Sequence, residues 1–253
     1  MLKTKTILIT GGGSGIGEAL AANLAEDNKI IICGRNEDKL KRVATANRNV
    51  LYYVADISIP NEIDELFKKI SGDGIVLDVL INNAGVVEQW DMTKKVLSSA
   101  QIFEKINTNL AAAIAVTQHF IYQANLSAEN LIINITSEIA LFPVPILPLY
   151  ATSKAGLRVF TQVLRKQLKN TNFSVVEVLP PAVDTAMPKQ LGNTGKLIHA
   201  DAFAKSIIAN VNKGKREFAP GTNVPLLKFF HKFLPNAGLT IIDKMSRKQL
   251  QVQ

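Results

Sequence analysis

Tyr150 and Lys154 stand four residues apart in the run Tyr150-Ala151-Thr152-Ser153-Lys154. On a helix that spacing puts both side chains on one face. A free phenol titrates near 10, so proton exchange at neutral pH calls for a shift of up to about three units, roughly 4 kcal/mol. A nearby ammonium favours the phenolate and supplies part of it. Taken alone, Tyr-x-x-x-Lys is also an ordinary surface pair. Its place, thirteen residues after Ser137 and at the start of a long helix, is what sharpens it.

A second chemical feature opens the chain. The β-formers Thr6-Ile7-Leu8-Ile9-Thr10 run into Gly11-Gly12-Gly13-Ser14-Gly15-Ile16-Gly17, and a helix-prone stretch from Glu18 to Ala25 follows. Glycines let the backbone turn tightly and approach a ligand without a Cβ in the way. The N–H groups and positive end of the following helix then face an anion, most often a phosphate. Between a strand and a helix, such a turn is a dinucleotide-site candidate, against the plainer reading of a surface turn.

The third feature is a replacement. An acidic residue that binds an adenosine ribose 2′-hydroxyl belongs near the end of the second strand. Gly34 and Arg35 occupy that place. A guanidinium pairs with a 2′-phosphate, whereas a carboxylate repels it. This favours NADP(H) over NAD(H).

The elements that must hold these groups alternate. Lys29–Cys33, Val50–Val54, Asp78–Ile81, Leu131–Ile135 and Ser174–Leu179 read as further strands. Helices are expected from Glu37 behind an Asn36 cap, from Pro60 to Ile70, over 92–106 and 109–125, and from Tyr150 to Leu168. The alternation predicts an α/β, doubly wound parallel sheet of about seven strands with helices on both faces, in one domain spanning 1–253. Ligands of such sheets sit beyond the carboxyl ends of the strands. The Gly11 turn, Arg35, Asp56, Asn83, Ser137 and the Pro180-Pro181 turn all fall there.

Composition removes several alternatives. With 253 residues and 47% hydrophobic content the chain can bury a full core. No run of about 18 apolar residues predicts a membrane span. A strand beginning within a few residues of Met1 leaves no room for a signal peptide, and a cytoplasmic location is expected. Cys33 is the single cysteine, and His119, His199 and His231 show no ligand spacing, so neither a disulfide framework nor a metal is expected. The net charge of +8 is concentrated late: residues 201–253 hold nine Lys/Arg against three Asp/Glu. The charges are scattered and no nucleic-acid-binding motif accompanies them, so nucleic acid is not an expected partner.

Taken in order, the Thr10–Gly17 turn, Asp56, Asn82-Asn83-Ala84-Gly85, Asn109, Ser137 and Tyr150 with Lys154 resemble a short-chain dehydrogenase/reductase of the compact, single-domain branch. The resemblance covers about residues 6–185. It implies an oxidoreductase moving a hydride between nicotinamide C4 and a carbonyl carbon, with no metal. Tyr150 would be the general acid/base, and Lys154 would lower its pKa and hold the nicotinamide ribose. Ser137 would bond the reacting oxygen and Asn109 would hold a water in the proton relay. Thr10, Gly11, Ser14, Gly15, Ile16, Gly17, Arg35, Asp56, Ile57, Asn83 and Gly85 would contact the cofactor, and Thr185 the nicotinamide amide. A homodimer or homotetramer through the helices around 109–125 and 150–168 is implied as well.

Two departures stand out. Pro181 follows Pro180 where the family usually has glycine, which stiffens the turn and removes a backbone donor. The usual C-terminal strand ending in a glycine pair is missing, replaced by Arg216-Glu217-Phe218-Ala219-Pro220-Gly221 and a basic, apolar tail. Both features are similar to the DltE-like subgroup.

Between Ser137 and Tyr150, the stretch Ala140–Leu149 is apolar and stiffened by Pro143, Pro145 and Pro148. Leu141, Phe142, Val144 and Ile146 suggest an apolar substrate, unless the loop packs on the core or a neighbouring subunit. Residues 186–200, with Gly192 and Gly195, have the composition of a substrate lid. The tail over 224–253 would rest weakly on an anionic membrane surface or, the preferred reading, pack on the body. Two other functions stay open: a non-catalytic NADP(H)-binding regulator, and an envelope- or lipid-associated protein whose tail carries the role.

Overall fold

The first strand sets the pattern for the rest. In β1 (Thr6–Thr10), Ile7 and Ile9 enter one apolar layer and Leu8 enters the other, as the period of two requires. A strand apolar on both sides needs cover on both sides. The structure is a computed structural model describing residues 1–187, 191, 197–220 and 224–233.

Around β1 lie β2 (Lys29–Gly34), β3 (Val50–Val54), β4 (Val79–Asn82), β5 (Asn130–Ile135), β6 (Phe173–Val178) and, far along the chain, β9 (Glu217–Phe218). They form a parallel sheet in the order β3-β2-β1-β4-β5-β6-β9. Strands β7 (Val183–Asp184) and β8 (Ile198–His199) pair separately.

One face of the sheet is covered by α1 (Gly15–Leu24), α2 (Glu37–Ala46) and α7 (Ala200–Asn212) through Leu20, Leu40, Phe203 and Ile207. The other is covered by α3 (Pro60–Gly72), α5 (Ala112–Gln123) and α6 (Pro148–Gln167) through Phe67, Val116, Phe120 and Leu164. This is the doubly wound sheet expected from the sequence. Cys33 is buried in it, and burial pushes the thiol up to about 12, which keeps it inert.

Four expectations need correction. The chain does have a C-terminal strand: Glu217 and Phe218 pair with Glu177 and Val178 in a strand of only two residues. The helix expected over 92–106 starts only at α4 (Ser99–Ile106). Asp91 accepts from the backbone and hydroxyl of Thr93 and so builds a turn, while the Ser98–Gln101 capping box fixes the later start. Residues 107–111 then widen into a π-turn, with the Ala112 N–H bonded to the Asn107 carbonyl, before α5 continues. Finally, Ile198 and His199 pair as β8 and Ala200 begins α7, so these belong to the body rather than to a lid. Positions 188–190 and 192–196 of the expected lid lie outside the described residues, as does the tail beyond 233. The last described helix is α8 (Val224–Phe233).

The glycine turn is built on close approach. Gly11 has φ +68° and Gly15 φ +58°, conformations that L side chains rarely adopt. A Cβ on Gly17 would lie 2.3 Å from the Gly11 carbonyl oxygen and 2.5 Å from Asn83 Nδ2. The Gly11 carbonyl is backbone, and Asn83 Nδ2 is held on the Thr10 and Gly11 carbonyls, so giving way costs those bonds. Gly17→Ala is expected to lose about 1–3 kcal/mol by overpacking, read as a Tm lower by several degrees. A melting curve identical to that of the wild type would contradict this.

Candidate active site

The carboxyl ends of β1, β4, β5 and β6 open on a cavity of about 940 Å³, at the point where the strand order reverses. At its centre, Pro148 starts α6 at a position where its missing N–H costs nothing, which brings Tyr150 and Lys154 to the cavity wall. Lys154 is only 3% exposed, and its Nζ donates to the Ile135 carbonyl at 2.8 Å. That nitrogen lies 5.7 Å from the centroid of the Tyr150 ring. Gly85 faces the same corner: a Cβ there would crowd Asn109 Oδ1 at 3.3 Å and meet Lys154 Nζ at an ordinary 3.7 Å.

Burial governs both titrations. It pulls Lys154 down to about 8, because an ammonium leaving water loses its hydration. It pushes Tyr150 up to about 12, and a hydrogen bond with Ser137 pulls partly the other way. The ammonium is set toward the ring and the Ile135 carbonyl, and desolvation dominates.

Ser137 follows β5 and accepts from the Ile139 N–H at 3.2 Å, capping the short turn Glu138–Ala140. Asn109, in the π-turn, clamps Val86 from both sides: it accepts from its N–H and donates to its carbonyl, each at 2.8 Å. It thus fixes the 83–87 loop from behind and does not itself line the cavity.

Toward β1 the lining is Gly11, Gly13, Ser14, Gly15 and Ile16, then Arg35, Asp56, Ile57, Asn83 and Gly85, with Thr185 opposite. A Cβ on Gly15 would come within 3.1 Å of Thr185 Cγ2, so only glycine leaves that passage open. Ser14 sits at the N-cap of α1 without a side-chain cap bond. A phosphate suits that helix start.

Arg35 Nη1 lies 3.4 Å from Glu104 Oε1 and 3.7 Å from Asp56 Oδ2. Thr10 and Gly17, placed among the cofactor contacts by sequence, are not in the lining. The Thr10 hydroxyl instead accepts from Asn83 and Ala84 N–H at 3.0 and 3.1 Å, holding β4's exit turn. Sequence reasoning missed Lys39, Glu104, Lys105 and Thr108, which line the same end. Lys39, in the first turn of the helix starting just after Arg35, was within reach of a pattern argument; Glu104 and Lys105 of α4 and Thr108 of the π-turn come from far along the chain.

On the other side of Tyr150 the walls are Val86, Val87, Ile139, Val144, Ile146, Leu147, Pro181 and Met187. Leu141 and Phe142 turn away: Leu141 packs with Leu179 and Ala219, and Phe142 meets the His231 ring edge-on at 6.0 Å.

A family model described as short chain dehydrogenase matches residues 5–196. The chain belongs to that family. Its members are oxidoreductases that use a nicotinamide dinucleotide, and this chain has the seven-stranded sheet to match. It is 30% identical over 224 residues to the uncharacterized oxidoreductase DltE of Bacillus subtilis, covering 85% of this chain and 88% of that one. It is 29% identical over 213 residues to human 17-beta-hydroxysteroid dehydrogenase type 3, covering 82% and 68%. Among solved structures, a short-chain dehydrogenase from Sphingobium yanoikuyae in complex with NADPH superposes with a TM-score of 0.79 at 23% identity, covering 87% of this chain and 89% of that one.

The depressed Lys154 pKa has a consequence for stability. Folded Lys154 releases its proton near 8, whereas an unfolded lysine keeps it to about 10.4. The unfolded chain binds the extra proton, so this lysine costs stability below pH 8, and the cost disappears as pH rises toward the unfolded value. Lys154→Met is expected to stabilise the protein at pH 7 on the order of 2 kcal/mol after the lost Ile135 hydrogen bond is subtracted. Denaturant titrations at pH 7 and 10 check this: the gain should shrink at the higher pH.

Proposed function

We propose that this chain is an NADP(H)-dependent reductase of apolar, uncharged carbonyl compounds, with Tyr150 as the general acid. The observation that carries the reading is Lys154: a buried ammonium beside Tyr150, at the junction of a glycine-lined passage and an apolar one. Folding has no use for that charge; a proton donor and a ribose do. The glycine cradle and bare helix start fit a dinucleotide's pyrophosphate, and Arg35 with Lys39 fits a 2′-phosphate.

Bound there, the nicotinamide supplies the hydride. Ser137 holds the carbonyl oxygen through its hydroxyl, and Tyr150 gives that oxygen its proton. Lys154 bonds the ribose and, as charge develops on the phenolic oxygen, favours the phenolate. Asn109 supports the site from behind by holding Val86. Thr185 faces the passage beside Gly15, from where it would hold the carboxamide.

The apolar lining from Val86 to Met187 supports a substrate of hydrocarbon character. The human relative's name, a hydroxysteroid dehydrogenase, is compatible with a bulky apolar ketone. A regulator that only senses NADP(H) has no need of Ser137, Tyr150 and Lys154 around one wall. Exposed Val159 and Val163 on α6 support assembly through that helix. Lys228 and His231 both bond the body, which supports the packed reading of α8 over the membrane one.

Two experiments test this. Arg35→Ala should weaken NADPH binding roughly 10- to 100-fold and leave NADH nearly unchanged, the worth of one or two charge-assisted bonds. An unchanged NADPH to NADH ratio would remove the cofactor preference. NADPH oxidation with apolar ketones and diketones should proceed in the wild type and fall by about 100-fold or more in Tyr150→Phe, while keto acids of similar size turn over poorly. Equal rates in the two proteins would remove Tyr150 as the acid.

A further inference from the structure

Glu177 is fully buried at the carboxyl end of β6, among Val175, Val176, Val178 and Leu179. Replacing a buried ion pair by apolar residues is often neutral or stabilising, so stability alone gives no reason for a carboxylate there. Its partners suggest one. Oε2 accepts from Arg158 Nη1 at 2.8 Å, and Oε1 lies 3.0 Å from the Thr136 hydroxyl. Thr136 immediately precedes Ser137, and its N–H is bonded to the Val178 carbonyl at 2.9 Å. Arg158 lies one turn beyond Lys154 and two beyond Tyr150 on the same stripe of α6.

The same Nη1 donates to Glu217 Oε1 of β9 at 2.9 Å, and Glu217 Oε2 accepts from Lys228 Nζ of α8 at 2.7 Å. On α8, His231 Nδ1 lies 2.7 Å from the Leu141 carbonyl, at the base of the loop whose Val144 and Ile146 wall the substrate end. The four charges alternate in sign, and they balance only with α8 in place.

We propose that Arg158 and Glu177 are positioning residues: their buried pair fixes Ser137, at the end of β5, against Tyr150 and Lys154 on α6, and Glu217 extends that hold to α8 and the substrate loop. The inference rests on the reductase reading. A reacting group displaced by about 1 Å costs on the order of 100-fold in rate, so the spacing of strand end and helix is worth a buried charge.

The test compares full-length wild type, Glu177→Gln, Arg158→Lys, Arg158→Met/Glu177→Met and Lys228→Met in kcat, KM, NADPH affinity, Tm and amide exchange. Glu177→Gln is expected to lower kcat about tenfold or more while KM and NADPH affinity stay within about twofold. Arg158→Lys, which keeps the cation, retains more of the wild-type kcat than the double Met variant. The double Met variant regains wild-type Tm without regaining kcat, which a purely structural pair would not do. Lys228→Met raises KM more than it lowers kcat. Residues 136–142 exchange faster in Glu177→Gln, a readout that needs no substrate and stands even if the reductase reading fails on the carbonyl panel. A double Met variant with both Tm and kcat restored, or unchanged exchange over 136–142, would overturn the proposal.

Discussion

The arrangement depends on one buried ammonium. Lys154 has left water almost completely, and its hydration is replaced by the Ile135 carbonyl and the space beside Gly85 and Asn109. An ammonium in such a place is costly unless its donors are used. Each neighbouring irregularity serves that need. The π-turn lets Asn109 clamp Val86, glycine at 85 relieves crowding against Asn109 Oδ1, and β5 ends so that its last carbonyl meets Lys154 of α6. The lowered proton affinity of Lys154 is the same cost seen from the side of titration.

From that centre the cavity divides by polarity. Toward β1 it offers glycine backbone, a helix start and the cations Arg35 and Lys39, with Asp56 and Glu104 close to Arg35. Exposed pairs of this kind contribute little to stability, so Arg35 stays available to an anion of higher charge. Toward the loop after Ser137 the walls are mainly hydrocarbon, with Gln89 and Glu138 among them. A ligand polar at one end and apolar at the other thus has a single way to lie.

Much of this was legible in the sequence, because it depends on local pattern. The strands announced themselves as apolar runs, the Gly11–Gly17 turn by composition, and Tyr150 with Lys154 by helical spacing. What escaped depends on tertiary partners. A two-residue strand at Glu217 has no period to read. Glu104 meets Arg35 across 69 positions, and Arg158 meets Glu177 across 19. Thr10 was placed among cofactor contacts, yet its hydroxyl is spent on Asn83 and Ala84, which only the approach of β1 and β4 explains. The helix expected from 92 gave way to a turn because Asp91 competes for nearby N–H groups. The burial that pushes the phenol of Tyr150 up, against the pull of the Ser137 hydrogen bond, likewise comes from tertiary packing and has no local pattern.

Hydride transfer with Tyr150 supplying the proton is tested most directly by a single turnover with NADPH dideuterated at nicotinamide C4, an apolar ketone, and mass spectrometry of the product. One deuterium is expected on the former carbonyl carbon, formed by the wild type and lost with Tyr150→Phe. Tight NADPH binding with no label reaching any carbonyl carbon would contradict it.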